Sequence, residues 1–177
     1  MPGPVMTIGH SNRTLQEFLH ILRAHEVRYL ADIRTIPRSR HNPQFNRETL
    51  PAYLAAVGIE YKHMPGLGGL RHPRPDSNNT GWRNSGFRGY ADYMQTPEFE
   101  SNLADLLDLA EGRRLAIMCA EAVPWRCHRT LVADAISARG TRVEHIMSAD
   151  KANPHEMTPF ARVEGIRVSY PAKGSLF

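Results

Sequence analysis

The chain has 177 residues, 41% hydrophobic and 23% charged, with 13 Gly and 13 Pro; this is the profile of one soluble globular domain and excludes collagen, a coiled coil and a wholly disordered chain. Its net charge of +4 rests almost wholly on arginine, since only Lys62, Lys151 and Lys173 among 22 basic residues are lysines, and arginine's planar fork favours an anionic partner such as a phosphate or carboxylate. No apolar run approaches the roughly 18 residues of a membrane span, and Met1 to Met6 lacks the pattern of a secretory leader, so the expectation is a cytoplasmic protein without membrane contact.

Pro4 to Ile8 reads as a buried strand that stops at Gly9-His10-Ser11-Asn12. Thr14 and Glu17 have capping-box spacing, and Leu15, Phe18, Leu19 and Leu22 follow at helical intervals. Arg28 to Ile33 is a second strand, opening into a polar loop from Arg34 to Asn46 that Pro37, Asn42 and Pro43 keep irregular. Leu50, Tyr53, Leu54 and Val57 restore the helical period up to Gly58, and a third strand, Ile59 to Met64, ends at Pro65-Gly-Leu-Gly-Gly69. Residues 71–86 show no apolar period and read as a long exposed loop, of the kind that binds ligand or closes as a lid. A short helix around Tyr90 to Met94 precedes one from Pro97 to Ala110, capped by Thr96 and stopped by Gly112. Leu115 to Met118 is a fourth strand, a helix runs from about Cys127 to Ala138, and Arg142 to Ile146 is a fifth strand. This alternation predicts an α/β fold: one Rossmann-like domain over residues 1–177 with its core at about 5–148, a mostly parallel sheet of about five strands and helices on both faces. The extension 149–177 is expected to add an edge hairpin near Val163 to Tyr170.

Ligands of open parallel sheets bind beyond the carboxyl ends of the strands. Those ends carry His10 and Asn12; Arg34, Arg38 and Arg40; Gly68 and Gly69; then Cys119, Glu121, Cys127, His128 and Arg129. In Cys119-Ala-Glu-Ala-Val-Pro-Trp-Arg-Cys127-His-Arg129 an apolar strand gives way to a helix start, where the helix dipole and the basic neighbours push a thiol toward thiolate. Cys119 is the expected nucleophile, although a strand-end cysteine also serves as a small packed residue. Glu121, His10 and His128 are the candidate proton carriers, with Glu121 expected to be partly desolvated or paired with Arg34 or Arg129. Arg34 can be pinned by Asp32 and aimed at the rim. Cys119, Cys127 and His128 could instead hold a metal, but their spacing matches no usual zinc pattern, and adjacent Cys127 and His128 should point apart. The arginines of residues 71–88 alternate with Trp82 and Phe87, an arrangement that can grip phosphates and stack bases, or merely face solvent.

The strand–cysteine–helix order is similar to that of rhodaneses and cysteine phosphatases, yet Trp125 stands where the tyrosine-phosphatase spacing needs arginine, and Glu121 would repel a phosphate. Thr7-Ile-Gly-His-Ser-Asn12, Asp32-Ile-Arg34 with Pro37-Arg-Ser-Arg40, Leu67-Gly-Gly69, and Cys119-Ala-Glu121 through Pro124 to Cys127-His-Arg129 resemble, from about Val5 to Tyr170, the bacterial and archaeal family called Domain of Unknown Function 488. The resemblance implies a compact α/β domain associated, from the context of relatives, with nucleic acid or defence systems. It also implies His10, Asn12, Arg34, Cys119, Glu121, Cys127, His128 and Arg129 as signature positions. The leading expectation is an enzyme-like site for an anionic, nucleotide or nucleic-acid-like substrate, with Cys119, Glu121, His10 and His128 catalytic. Asn12, Arg34, Arg38, Arg40, Gly68, Gly69 and Arg129 are expected to bind substrate, and no cofactor is named. The alternatives are a non-catalytic nucleic-acid-binding module and a metal-binding protein.

Overall fold

A computed structural model describes residues 3–172; Met1, Pro2 and residues 173–177 of the C-terminal extension lie outside the described residues. Every residue of β1 (Val5–Gly9), β2 (Tyr29–Asp32) and β4 (Leu115–Cys119) is buried, and strands buried on both faces need helices on both. With β3 (Glu60–His63), β5 (Val143–Ser148) and β6 (Lys151–Pro154) they form a six-stranded sheet in the order β3-β2-β4-β1-β5-β6, parallel except for the β5–β6 pair.

Successive strand residues face two separate cores. Met6, Ile8, Leu30, Ala116 and Met118 join α1 (Leu15–Ala24) and α2 (Leu50–Ala55), while Val5, Ala31, Leu115 and Ile117 pack with α3 (Ser85–Tyr93), α4 (Pro97–Ala110) and α5 (Arg129–Ala138). Strands β1 and β2 therefore lead to helices on one face and β4 leads to α5 on the other. Neighbouring strands whose connections part in this way open a crevice beyond their carboxyl ends. Because β4 lies between β2 and β1, its last residue, Cys119, borders a crevice on each side.

The local signals hold where they are chemically explicit. Thr14 Oγ1 accepts from Glu17 N at 3.1 Å while the Glu17 carboxylate accepts from Thr14 N, closing the capping box. Two elements escape the period argument. Helix α3 begins at Ser85, five residues before the expected start at Tyr90. Gly86 and Gly89 argue against a helix, yet Gly89 is there because a Cβ would lie 2.4 Å from the Arg71 carbonyl oxygen. Strand β6, Lys-Ala-Asn-Pro, has no apolar alternation because it is a short edge strand. The hairpin expected near Val163 to Tyr170 is present as β7 (Arg162–Glu164) and β8 (Arg167–Ser169), but as a separate two-stranded sheet, β6 being the edge of the main one.

Two buried carboxylates fasten the irregular segments. Asp92 of α3 accepts from Arg74 N (2.8 Å), Ser77 Oγ (2.6 Å) and Asn79 Nδ2 (2.7 Å), so the loop is anchored where its sequence looks merely polar. Asp134 of α5 accepts from His155 Nε2 (2.7 Å), Thr158 N (3.1 Å), Thr158 Oγ1 (2.6 Å) and Tyr170 Oη (2.7 Å), holding the segment after β6 against the helix. Asp134→Asn is expected to lower stability by about 3 kcal/mol or more, since buried donors lose their charged acceptor; urea denaturation of the two proteins measures it.

Candidate active site

The β4–α5 connection carries the site. Cys119 ends β4, the chain turns through Ala120 to Val123 and the 3₁₀ turn Pro124–Arg126, and Cys127 and His128 enter α5. This path returns the Cys127 sulfur to 2.6 Å from the Cys119 sulfur, with both cysteines buried and free. Arg129 N donates to Cys127 Sγ at 3.5 Å. His128 Nδ1 lies 3.4 Å from the same sulfur, and its Nε2 donates to the Ile33 carbonyl at 3.1 Å. The two adjacent residues thus converge, against the expectation that they diverge, because His128 is the N-cap of α5 and its ring reaches back across the end of β2.

This environment divides the two thiols electrostatically. Burial pushes the Cys119 thiol up, and the hydrogen bond between it and Cys127 pushes it further. That same bond, with His128 and Arg129, holds Cys127 well below the ordinary thiol range despite its burial. The two shifts run in opposite directions and favour negative charge on Cys127, whereas the sequence reading named Cys119 as nucleophile. The signal available beforehand was position: Cys127 stands at a helix N-terminus beside a histidine, whereas Cys119 is the tail of a buried strand.

The sulfurs open onto a cavity of about 390 Å³ whose walls include Arg34, Arg38, Arg126 and His128, with Ile36 and Leu70 on its rim. Arg34 is nearly buried and fixed: Nε and Nη2 donate to the Asp32 carboxylate at 2.9 and 2.7 Å, Nη2 to the Phe45 carbonyl at 2.7 Å, and Nη1 to His10 Nε2 at 3.3 Å. Tyr61 Oη donates to the same carboxylate, and His63 Nε2 donates to the Arg34 carbonyl at 2.7 Å; neither residue stood out in the sequence. His10 donates from Nδ1 to the Ser11 carbonyl at 2.8 Å and stacks on Phe45. Burial pushes its pKa down to about 4, so at neutral pH it is an uncharged acceptor behind Arg34 and not a proton carrier in the cavity.

Several other expected roles are reassigned by geometry. Arg129 is fully buried: Nη2 donates to the Glu121 and Ala122 carbonyls at 2.9 and 3.2 Å and Nη1 to Thr7 Oγ1 at 3.1 Å, so its fork shapes the loop and does not face a substrate. Glu121 is exposed and lines the cavity, as expected of a candidate proton carrier, while it is its main-chain oxygen that meets Arg129. Gly68 and Gly69 permit close packing, since a Cβ would lie 2.9 Å from Thr35 Cα at the first and 2.5 Å from His128 Nδ1 at the second. Asn12 and Arg40 are exposed and do not line the cavity. Arg38 lines it while pairing with Glu48 at 3.0 Å. In the long loop Arg71 lies over the Tyr93 ring and Arg74 pairs with Asp76, and Arg88, which the structure places in α3, donates back to the Trp82 and Arg83 carbonyls, so much of this charge is engaged within the fold. The metal alternative does not fit: tetrahedral zinc ligands 2.3 Å from the ion stand about 3.8 Å apart, and among the described residues no group of three or more His, Cys, Asp or Glu is arranged to hold one. No helix among the described residues is long and apolar enough to cross a membrane.

Fold and site together define an α/β protein with a cysteine pair at the divide of a mostly parallel sheet. The chain belongs to the family described as "Domain of unknown function DUF488", whose model matches residues 14–136. That span contains every cavity residue named above, while His10 and Asn12 precede it. No curated protein and no solved structure matches the chain.

Two outcomes follow from this geometry. Gly69→Ala is expected to displace the His128 ring, visible as a change in its imidazole NMR shifts, with a stability loss of about 1–3 kcal/mol from overpacking. The pH dependence of stability has a definite sign. His10 and His145 are lowered by burial to about 4 and about 3, so both resist protonation in the fold but take up a proton when unfolded. Their contribution is complete above pH ~6.5 and is lost as pH falls toward those values, by up to about 1.4 kcal/mol per pH unit for each. Thermal denaturation between neutral pH and about pH 4.5 should show this decline; a flat profile would mean that the two imidazoles are solvated.

Proposed function

We propose that the protein is a thiol-dependent enzyme acting on a small anionic substrate, with Cys127 as nucleophile and His128 as the group that takes its proton. The observation that carries this reading is the convergence of Cys119 Sγ, His128 Nδ1 and Arg129 N–H on one sulfur at the wall of a cavity rimmed by arginine. The Ile33 carbonyl fixes the His128 proton on Nε2, which leaves Nδ1 free to accept from the Cys127 thiol and form a thiolate–imidazolium pair. Arg126 and Arg38 are exposed at the rim and would receive the anionic group, while Arg34, anchored by Asp32, supplies a fixed positive wall. A nucleotide phosphate is one such anion. The binding-module alternative draws less support, because much of the charge in the long loop is engaged internally.

Alkylation followed by peptide mass spectrometry tests the proposal. Cys127 should react with iodoacetamide faster than Cys119, with a midpoint well below the roughly 8.5 of a free thiol. Arg126→Ala should lower the rate with anionic iodoacetate several-fold and leave the rate with neutral iodoacetamide nearly unchanged. A fast Cys119, or two thiols that react only above pH ~8.5, would remove Cys127 as nucleophile.

A further inference from the structure

We infer that the chemistry at this site is thiol–disulfide exchange, with Cys127 as the attacking sulfur and Cys119 as the resolving one; the inference rests on Cys127 being the nucleophile. A nucleophilic thiolate needs a hydrogen-bond donor beside it, and a serine hydroxyl or a main-chain N–H would serve. Here the group beside it is a second thiol, with the two sulfurs 2.6 Å apart and both residues lining the same cavity. The two sulfurs are kept adjacent by two constraints on the first residues of the loop between them. Arg129 grips the Glu121 and Ala122 carbonyls, and Gly9 lets the Glu121 main chain pass so close that a Cβ there would collide with its carbonyl oxygen. Disulfide geometry is demanding in sulfur position, and this loop already brings the two sulfurs to 2.6 Å.

The reaction balances within the site. Cys127 thiolate attacks a substrate disulfide R–S–S–R′, forming Cys127–S–S–R and breaking the substrate S–S bond, with R′–S⁻ as leaving group. Cys119 then gives its proton to R′–S⁻, and its thiolate attacks Cys127 Sγ, forming the Cys119–Cys127 disulfide and releasing R–S⁻. The substrate disulfide gains two electrons and the cysteine pair loses two; a reducing dithiol of the cell restores the pair by the reverse exchange. Burial of Cys119 keeps it protonated until the first step has removed the neighbouring negative charge, which orders the two steps. The cavity sets the substrate class: about 390 Å³, with Arg38 and Arg126 beside the apolar side chains of Ile36, Leu70 and Phe87, fits a small disulfide that carries a carboxylate and an apolar body.

Dithiobis(nitrobenzoate), an aromatic disulfide with a carboxylate on each ring, is the probe. At about pH 6, where an ordinary thiol is only ~0.3% ionised, the reduced wild-type protein should release two equivalents of thionitrobenzoate and retain no adduct. Cys119→Ser and, independently, Cys119→Ala should release one equivalent and keep the mixed disulfide on Cys127. A wild-type protein that stops at one equivalent with the adduct retained overturns the resolving role of Cys119 and leaves the nucleophile standing. Failure of Cys127 to react in the wild-type protein and in both variants overturns the nucleophile itself.

Discussion

The buried guanidinium of Arg129 is the constraint on which the rest of the site depends. It is fully enclosed, and a charge without water must be matched by acceptors fixed in place. Two of these are main-chain carbonyls of the loop after β4, which fixes the path between Cys119 and Cys127. The third is Thr7 in the central strand β1, from which a chain of hydrogen bonds runs through His145 (2.6 Å) and His155 (2.8 Å) to the carboxylate of Asp134 (2.7 Å). In the tautomers that complete the chain, each member donates to the next, from the cation at one end to the anion at the other. The chain links α5 to β1, to β5 and to His155 just after β6, so loop, helix and C-terminal segment form one electrostatic unit.

How much of this could be read from the sequence depended on whether the controlling physics was local. Strands β1 to β5 and the helices at Thr14, Thr96 and Cys127 announced themselves through apolar runs, caps and glycine stops, all of which act within a few residues. The rim at the strand ends was also legible, because parallel topology forces the connecting loops there. The particular role of each polar residue was not. Arg129 and Arg126 look alike in the chain, yet one is enclosed and the other exposed, and only the packing of the loop against Gly9 decides which.

The same reason explains the exchange of roles between the cysteines. From sequence Cys119 is the tail of a buried strand and Cys127 stands at a helix start with basic neighbours, but the spacing does not show that they meet. In space their sulfurs touch, so protonation of one depends on the other, and the sulfur closer to His128 and the Arg129 N–H takes the charge. The pinning of Arg34 by Asp32, two residues away, was legible, but Tyr61 was invisible for a related cause: it reaches the same carboxylate from the adjacent strand, a contact that register creates and sequence spacing cannot display.

The two tryptophans stand in contrasting surroundings. Trp82 is packed among Phe87, Phe160 and Tyr170, where the C-terminal segment meets the long loop, whereas Trp125 is 62% exposed on the turn between the cysteines. Their intrinsic fluorescence should therefore separate into a short-wavelength component shielded from aqueous quenchers and a long-wavelength component open to them. A single emission spectrum thus carries two built-in reporters, one for the seating of the C-terminal segment and one for the shape of the turn that carries the sulfurs.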